Sequence, residues 1–137
     1  MFREDFVWGV ASSAYQVEGT DAADGRGACV WDMFAADGRV FEHQNAGTSC
    51  DHMHHYKEDI ALMKHLGIRA YRFSLNWARI LPEGTGRVNE KAIAMYRDMI
   101  LTMKENGITP YLTLFHWEFP QALYERGGWQ NPDVVQW

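Results

Sequence analysis

The chain has little cysteine, no long apolar run and no surplus of positive charge. Only two cysteines occur, Cys29 and Cys50. They could pair, but two cysteines without a secretory signal read better as free thiols in a reducing compartment. The start, Met1 to Glu4, lacks a basic region followed by an apolar stretch, so no secretory signal is expected and the cytoplasm is the default location. No apolar run reaches the ~18 residues a transmembrane helix requires, so a membrane span is not expected. The net charge of −5 comes without a basic stripe, which argues against nucleic acid and anionic membrane as partners.

What is present is a core-forming composition. Of 137 residues, 47% are hydrophobic, which excludes a disordered chain and suits one domain over 1–137. Aromatics reach 14%, six of them Trp. Trp and Tyr can form flat apolar platforms with a hydrogen-bonding edge, suited to sugar rings, although any single aromatic serves more often in packing.

An internal repeat organises the sequence. Residues 63–77 and 103–117 are two versions of one segment forty positions apart, identical at six of fifteen places: Met63/Met103, Lys64/Lys104, Gly67/Gly107, Ile68/Ile108, Tyr71/Tyr111 and Trp77/Trp117. Such a period marks a repeated supersecondary unit, here the end of a helix, a glycine stop, a strand and a polar exit. Phe6 to Ala11 reads as a first buried strand, and Asp21 to Asn45 as a long ordered loop with a short helix near Trp31 to Phe34. Asp51 is expected to cap a helix whose apolar face is Met53, Tyr56, Ile60, Met63 and Leu66, and Gly67 to end it. A second strand, Ala70 to Leu75, places Tyr71, Phe73 and Leu75 on one face and Ala70, Arg72, Ser74 and Asn76 on the other. Asn89 should cap the next helix, with Ile93, Tyr96, Ile100 and Met103 inward. A third strand spans Tyr111 to Phe115, and Asn131-Pro132 opens a further helix.

Alternating strands and helices imply parallel strands with right-handed crossovers. A doubly wound sheet and a (β/α)8 barrel both fit. Arg72 weighs toward the barrel, because its face would otherwise pack against a helix and be apolar. A buried arginine needs a carboxylate partner or several acceptors. The expected fold class is therefore α/β, the first three or so βα units of a (β/α)8 TIM barrel. Since such a barrel needs ~250 residues, the fold is incomplete as a single chain.

Four motifs bear on chemistry. Gln16 follows the first strand, where parallel folds bind ligands, and its donor and acceptor suit adjacent sugar hydroxyls. His116-Trp117 follows the third strand and occupies, by the repeat, the place of Asn76-Trp77. Cys50, Asp51, His52, His54 and His55 could be read as a metal cluster, but Asp51 is better used as a cap and no second ligand group has suitable spacing. Glu18 and Glu118 stand near strand exits as a conceivable carboxylate pair, although nothing local suggests a shifted pKa for either.

These segments resemble glycoside hydrolase family 1, the β-glucosidase family. The match begins at Phe6-Val7-Trp8-Gly9 through Ala14-Tyr15-Gln16-Val17-Glu18-Gly19. It runs through Gly25-Arg26-Gly27, Trp31-Asp32, Asp51, His54, Tyr56, Glu58-Asp59-Ile60, Tyr71-Arg72-Phe73-Ser74 and Arg79-Ile80-Leu81-Pro82. Thr113-Leu114-Phe115-His116-Trp117, Pro120-Gln121 and Gly127-Gly128-Trp129 complete it. The resemblance implies a TIM barrel hydrolysing β-linked glucosides or galactosides with retention. It implies that Gln16 and His116 hydrogen-bond the glycone, that Trp117 helps form that subsite, and that Arg72 sits beside the nucleophile. Glu118 departs from the family's usual Asp, and His55 from a frequent Arg. The family's Asn-Glu-Pro does not occur in the chain, so neither catalytic Glu is expected here. No metal or cofactor is expected. The implied partners are a β-glucoside or related sugar and, through open sheet edges, a complementing C-terminal fragment or further copies of the chain.

Overall fold

The computed structural model describes residues 2–20 and 22–137; Met1 and Asp21, which begin the expected leader-free start and the long loop, lie outside them. Chain order is β1 (Val10–Ala11), α1 (Ala14–Val17), α2 (Val30–Ala36), α3 (His52–His65), β2 (Ala70–Ser74), α4 (Trp77–Ile80), α5 (Glu90–Glu105), β3 (Thr109–Thr113) and α6 (Gln121–Glu125), with 3-10 turns at Phe41–His43, Gly128–Gln130 and Pro132–Gln136. The three strands form one parallel sheet in the order β1-β2-β3, open at both edges. Two successive crossovers through α3 and α5 give the expected βα progression.

The repeat is written in hydrogen bonds as well as letters. Ile68 N–H donates to the Met63 carbonyl and Ile108 N–H to that of Met103, both at 2.9 Å. Gly67 N–H reaches Lys64 at 3.0 Å and Gly107 N–H reaches Lys104 at 3.1 Å. These are the paired closures of a Schellman cap, and they need φ values of +76° at Gly67 and +74° at Gly107, which glycine adopts without a Cβ penalty.

Sheet register, however, does not follow the repeat. Ala70 pairs with Thr109 and Ser74 with Thr113, an offset of 39 rather than forty. Paired residues of parallel strands share a face, so repeat-equivalent positions fall on opposite faces. Tyr71 is buried at 3% exposure while Tyr111 is 50% exposed. The expected equivalence of the Asn76 and His116 exits therefore holds along the chain but not across the sheet. A stagger between neighbouring strands is what a closing barrel requires.

The core lies between β2 and the helices. Tyr56 and Ile60 of α3, Tyr71 and Phe73 of β2, and Tyr96, Met99 and Met103 of α5 pack with Ile108. Fully buried side chains such as Ile60 and Met103 contribute about 1.5–3 kcal/mol each. The second strand thus divides its faces as its alternation predicts.

Several local expectations need correcting. Only Val10–Ala11 of the expected first strand pairs, because β1 meets β2 only opposite Tyr71 and Arg72; Phe6, Val7 and Trp8 are exposed. β3 starts two residues earlier than expected, at Thr109, directly after the closing residue of the cap. Its Pro110 is tolerated because Thr109 turns its N–H to β2, leaving position 110 to face the open edge. Asp51 stands at the cap position of α3 but its carboxylate meets His54 Nδ1 at 2.6 Å, and no side-chain cap bond forms. Asn89 likewise precedes α5 yet donates to the Asp24 carbonyl at 2.9 Å. Leu66 and Ile93, both expected to face inward, are exposed. Asn131 does cap, accepting from Asp133 N–H at 2.9 Å, but it opens a 3-10 turn.

Candidate functional site

In parallel sheets the chain leaves each strand toward one common edge, and the three exits are stitched together there. Ser12 N–H donates to the Arg72 carbonyl at 2.9 Å, and Ala14 N–H to Ser74 Oγ at 2.8 Å. Tyr15 N–H donates to Glu118 Oε1 at 2.9 Å, so the exits of β1 and β3 touch directly although 103 positions separate them.

Gln16 lies exposed in α1, its Oε1 accepting from Ser13 Oγ at 2.8 Å while the Ser49 hydroxyl bonds its backbone carbonyl. With Tyr15, Trp31, Phe41, Gln44 and Asn45 it lines an open cleft of 370 Å³. His116 is half-buried and its ring stacks on that of Trp117, with centroids 5.8 Å apart. Trp117 is 67% exposed and holds a φ of +81°. Arg72 is half-buried, and its Nη1 donates to the Ser12 carbonyl at 2.9 Å. The carboxylate or several acceptors expected for a buried arginine are not found among the described residues: Arg72 meets that one backbone oxygen and is only half-buried.

Sequence reasoning missed a deeply buried arginine. Arg79, 2% exposed, follows β2 in α4. Its Nε donates to Glu18 Oε2 at 3.1 Å, its Nη2 to the Gly19 carbonyl at 3.0 Å, and its Nη1 to Asp24. Tyr96 supplies the other half of the cradle, its hydroxyl donating to Glu18 Oε1 at 2.7 Å and accepting from Asn76 N–H at 3.0 Å. Asn76 in turn caps α4, its Oδ1 accepting from Arg79 N–H at 3.2 Å. The available signal was a tyrosine on an otherwise apolar helix face, since a buried hydroxyl needs a partner.

Both members of the conceivable carboxylate pair are engaged at these exits. Glu18 is consumed by Arg79 and Tyr96, and Glu118 by Tyr15. Both are buried, at 4% and 1% exposure. Contrary to the expectation of unshifted groups, burial raises both pKa values: for Glu18 against the pull of Arg79 and Tyr96, and for Glu118 against the nearby backbone N–H groups.

The histidine-rich start of α3 engages its rings with nearby acids, His54 and His55 both approaching Asp51. His52 Nδ1 pairs with Asp59 at 2.6 Å, His54 with Asp51, and His55 Nδ1 with Glu58 at 2.5 Å. Among the described residues no group of three or more such side chains is arranged to hold a metal ion. The two cysteines are free thiols, Cys29 buried and Cys50 exposed. No helix among the described residues is long and apolar enough to cross a membrane.

Compared with known proteins, residues 1–137 match the model of glycosyl hydrolase family 1 over their full extent. The chain belongs to glycosyl hydrolase family 1. Its family 1 relatives include β-glucosidase A of Acetivibrio thermocellus, 45% identical over 99% of the chain and 31% of that protein. The aryl-phospho-β-D-glucosidase of Bacillus subtilis is 44% identical over 98% and 29%. The solved family 1 β-glucosidase of Thermotoga maritima superposes with a TM-score of 0.95 at 47% identity, covering 99% of the chain and 32% of that structure. The same enzyme has been solved with deoxynojirimycin bound. The chain thus spans about a third of the length of these relatives, and its fold is the opening part of a family 1 TIM barrel whose sheet is not closed.

Proposed function

We propose that the chain is the N-terminal part of a retaining β-glucosidase, supplying glycone recognition without either catalytic Glu. Gln16 and His116 hydrogen-bond hydroxyls of the glycone, Trp117 walls its subsite, and Arg72 stands beside the nucleophile that the rest of the barrel contributes. The observation that carries this reading is the match to β-glucosidases along 99% of the chain but only 31% of their length. The burial of Glu18 and Glu118, at 4% and 1% exposure, supports it, because a carboxyl closed off from solvent cannot reach a leaving group or a sugar. A retaining enzyme needs two carboxyls ~5–5.5 Å apart flanking the bond. Substrates are β-linked glucosides or galactosides, and the likeness to a phospho-glucosidase keeps 6-phospho sugars within the class. A cytoplasmic location is part of the proposal, supported by the two free thiols.

The test is an assay with an aryl β-glucoside, using the 137-residue chain alone and mixed with the missing C-terminal part. No turnover is expected from the chain alone, and activity only from the mixture. Robust turnover by the purified chain overturns the proposal.

A second reading, a catalytically silent, self-associating or weakly sugar-binding fragment, is favoured by the outer strand. Leu112 and Leu114 are 43% and 72% exposed beside an unpaired edge. Its mass in solution separates the readings: a monomer that complements supports the first, and a stable oligomer that does not complement supports the second.

A further inference from the structure

We propose that Glu118 is a positioning residue, whose buried carboxylate fastens the segment carrying Gln16 to the turn carrying His116 and Trp117. Its functional consequence rests on the reading of those three residues as sugar contacts; the fastening itself does not.

The geometry is specific. Glu118 Oε1 accepts the Tyr15 N–H at 2.9 Å, and the chain neighbours of this bonded pair are Gln16 on one side and Trp117 on the other. Tyr15 belongs to a one-turn helix whose first residue, Ala14, is tied to Ser74 at 2.8 Å. The segment after β1 is thus tied by side chains to the exits of both β2 and β3, beyond the backbone bonds between neighbouring exits.

Trp117 supplies the reason such a fastener is needed. Its φ of +81° is a conformation that L-residues avoid, and it persists only where the surroundings hold it. Phe119 N–H closes onto the Trp117 carbonyl at 2.7 Å, and the following residues are anchored to the loop after β1: Val30 N–H donates to the Phe119 carbonyl and Gln121 N–H to that of Ala28, both at 2.9 Å. On the β3 side of Trp117 the chain has left the ladder, which ends at Thr113. Glu118 is therefore the pin between a strained, exposed tryptophan and the segment that presents Gln16.

Stability alone does not account for the choice of residue. Glu118 is 1% exposed, yet its Oε2 is buried with no hydrogen-bond partner among the described residues. Burial raises its pKa, outweighing the backbone N–H groups of Tyr15, Glu118 and His116 that favour the charged form. A half-satisfied buried carboxylate costs folding free energy. Local rules broken in this way mark positions serving function.

The experiment compares the 137-residue chain with Glu118→Ala and Glu118→Gln. Amide hydrogen exchange is read first. In Glu118→Ala, Tyr15 should exchange about tenfold faster or more, the effect of one lost hydrogen bond, and the Phe119 amide, bonded to the Trp117 carbonyl, should accelerate with it. Amides of α3 and α5 should keep wild-type rates. Glu118→Gln retains an acceptor oxygen and should leave Tyr15 close to wild type. Unchanged Tyr15 and Phe119 exchange in Glu118→Ala overturns the proposal. So does uniform acceleration through α3 and α5, since that reports general destabilisation.

The second readout is titration with deoxynojirimycin, followed at the Gln16 side-chain amide and the Trp117 indole. Both signals should move with one midpoint in wild type and Glu118→Gln. In Glu118→Ala the midpoint should weaken about tenfold as preorganisation is lost. Wild-type affinity in Glu118→Ala refutes the positioning role. If the wild-type signals do not move, the sugar reading of Gln16 and Trp117 fails, while the exchange data still decide whether Glu118 fastens the exits.

Discussion

Replacing Arg79 with methionine removes one charge and should unbalance three elements at once. Arg79 and Glu18 are buried together, with side chains 2% and 3% exposed. Without the guanidinium, Glu18 keeps only the Tyr96 hydroxyl, and the Gly19 carbonyl loses its donor. Asp24 suffers less, because its side chain is 38% exposed and water can take the vacated place. Breaking a buried pair by deleting one partner costs about 3–5 kcal/mol. Against a domain stability of about 5–15 kcal/mol and a urea slope of about 2 kcal/mol per molar, the denaturation midpoint should fall by on the order of 2 M. The pH dependence carries the physical cause. Burial already holds the Glu18 pKa above its ordinary value, and Arg79 is the main opposing influence. Its removal should push the pKa higher. A carboxyl whose folded pKa exceeds its unfolded one adds stability below the unfolded pKa and loses it as pH rises through the folded value. The deficit of Arg79→Met should therefore be largest at neutral pH and above, and shrink as pH falls toward the ordinary carboxylate range. In a Glu18→Gln background, Arg79→Met should cost less by about 1–3 kcal/mol, the coupling of neighbours in one network. A deficit under about 1 kcal/mol, or one unaffected by pH and by Glu18→Gln, would refute the assignment of this pair as the tie between the loop after β1 and the exit of β2.

Three further outcomes can be checked by the same denaturation series and by thiol labelling. Tyr96→Phe should cost about 1–3 kcal/mol, since it strands both Glu18 Oε1 and the Asn76 N–H without adding volume; a neutral result would mean that neither bond matters. Gly27→Ala should cost at least about 2 kcal/mol, because its Cβ would lie 2.0 Å from the Pro82 carbonyl oxygen. Gly86→Ala, at φ +79° with open space around it, should cost only about 1 kcal/mol, and the reverse ranking would count against this packing. Finally, a thiol reagent should modify Cys50 rapidly in the native chain and Cys29 only on unfolding. Burial pushes the Cys29 thiol up to about 11, so fast native labelling of both would contradict its placement.

Local patterns were legible wherever local physics decides. The two glycine stops were visible because a helix end with an αL residue is a short-range device, and both closures form at equivalent atoms. The alternation of Ala70–Ser74 assigned its faces correctly because one face is filled by the helices that precede and follow it. Asp51 and Asn89 were placed correctly at helix starts, but their side chains found other partners in space: His54 for one, the Asp24 carbonyl for the other. Among the candidate site residues, the sequence located Gln16 and His116–Trp117 at strand exits. It did not reveal the Tyr15–Glu118 bond between those exits, because 103 positions separate the partners.

By itself, then, the sequence determined the succession of strands and helices, the forty-residue period and the membership that its motifs imply. Each of these depends on neighbours within a few turns of chain, or on the order of motifs along it. Tertiary structure alone decided the one-residue difference between repeat and register, and with it which of two equivalent tyrosines is buried. It alone buried Glu18 and Glu118, a conceivable carboxylate pair by sequence, and gave each a partner from another part of the chain. Both outcomes depend on which groups meet across the sheet, and such meetings are settled by the strand stagger and by the need of every buried charge for a partner.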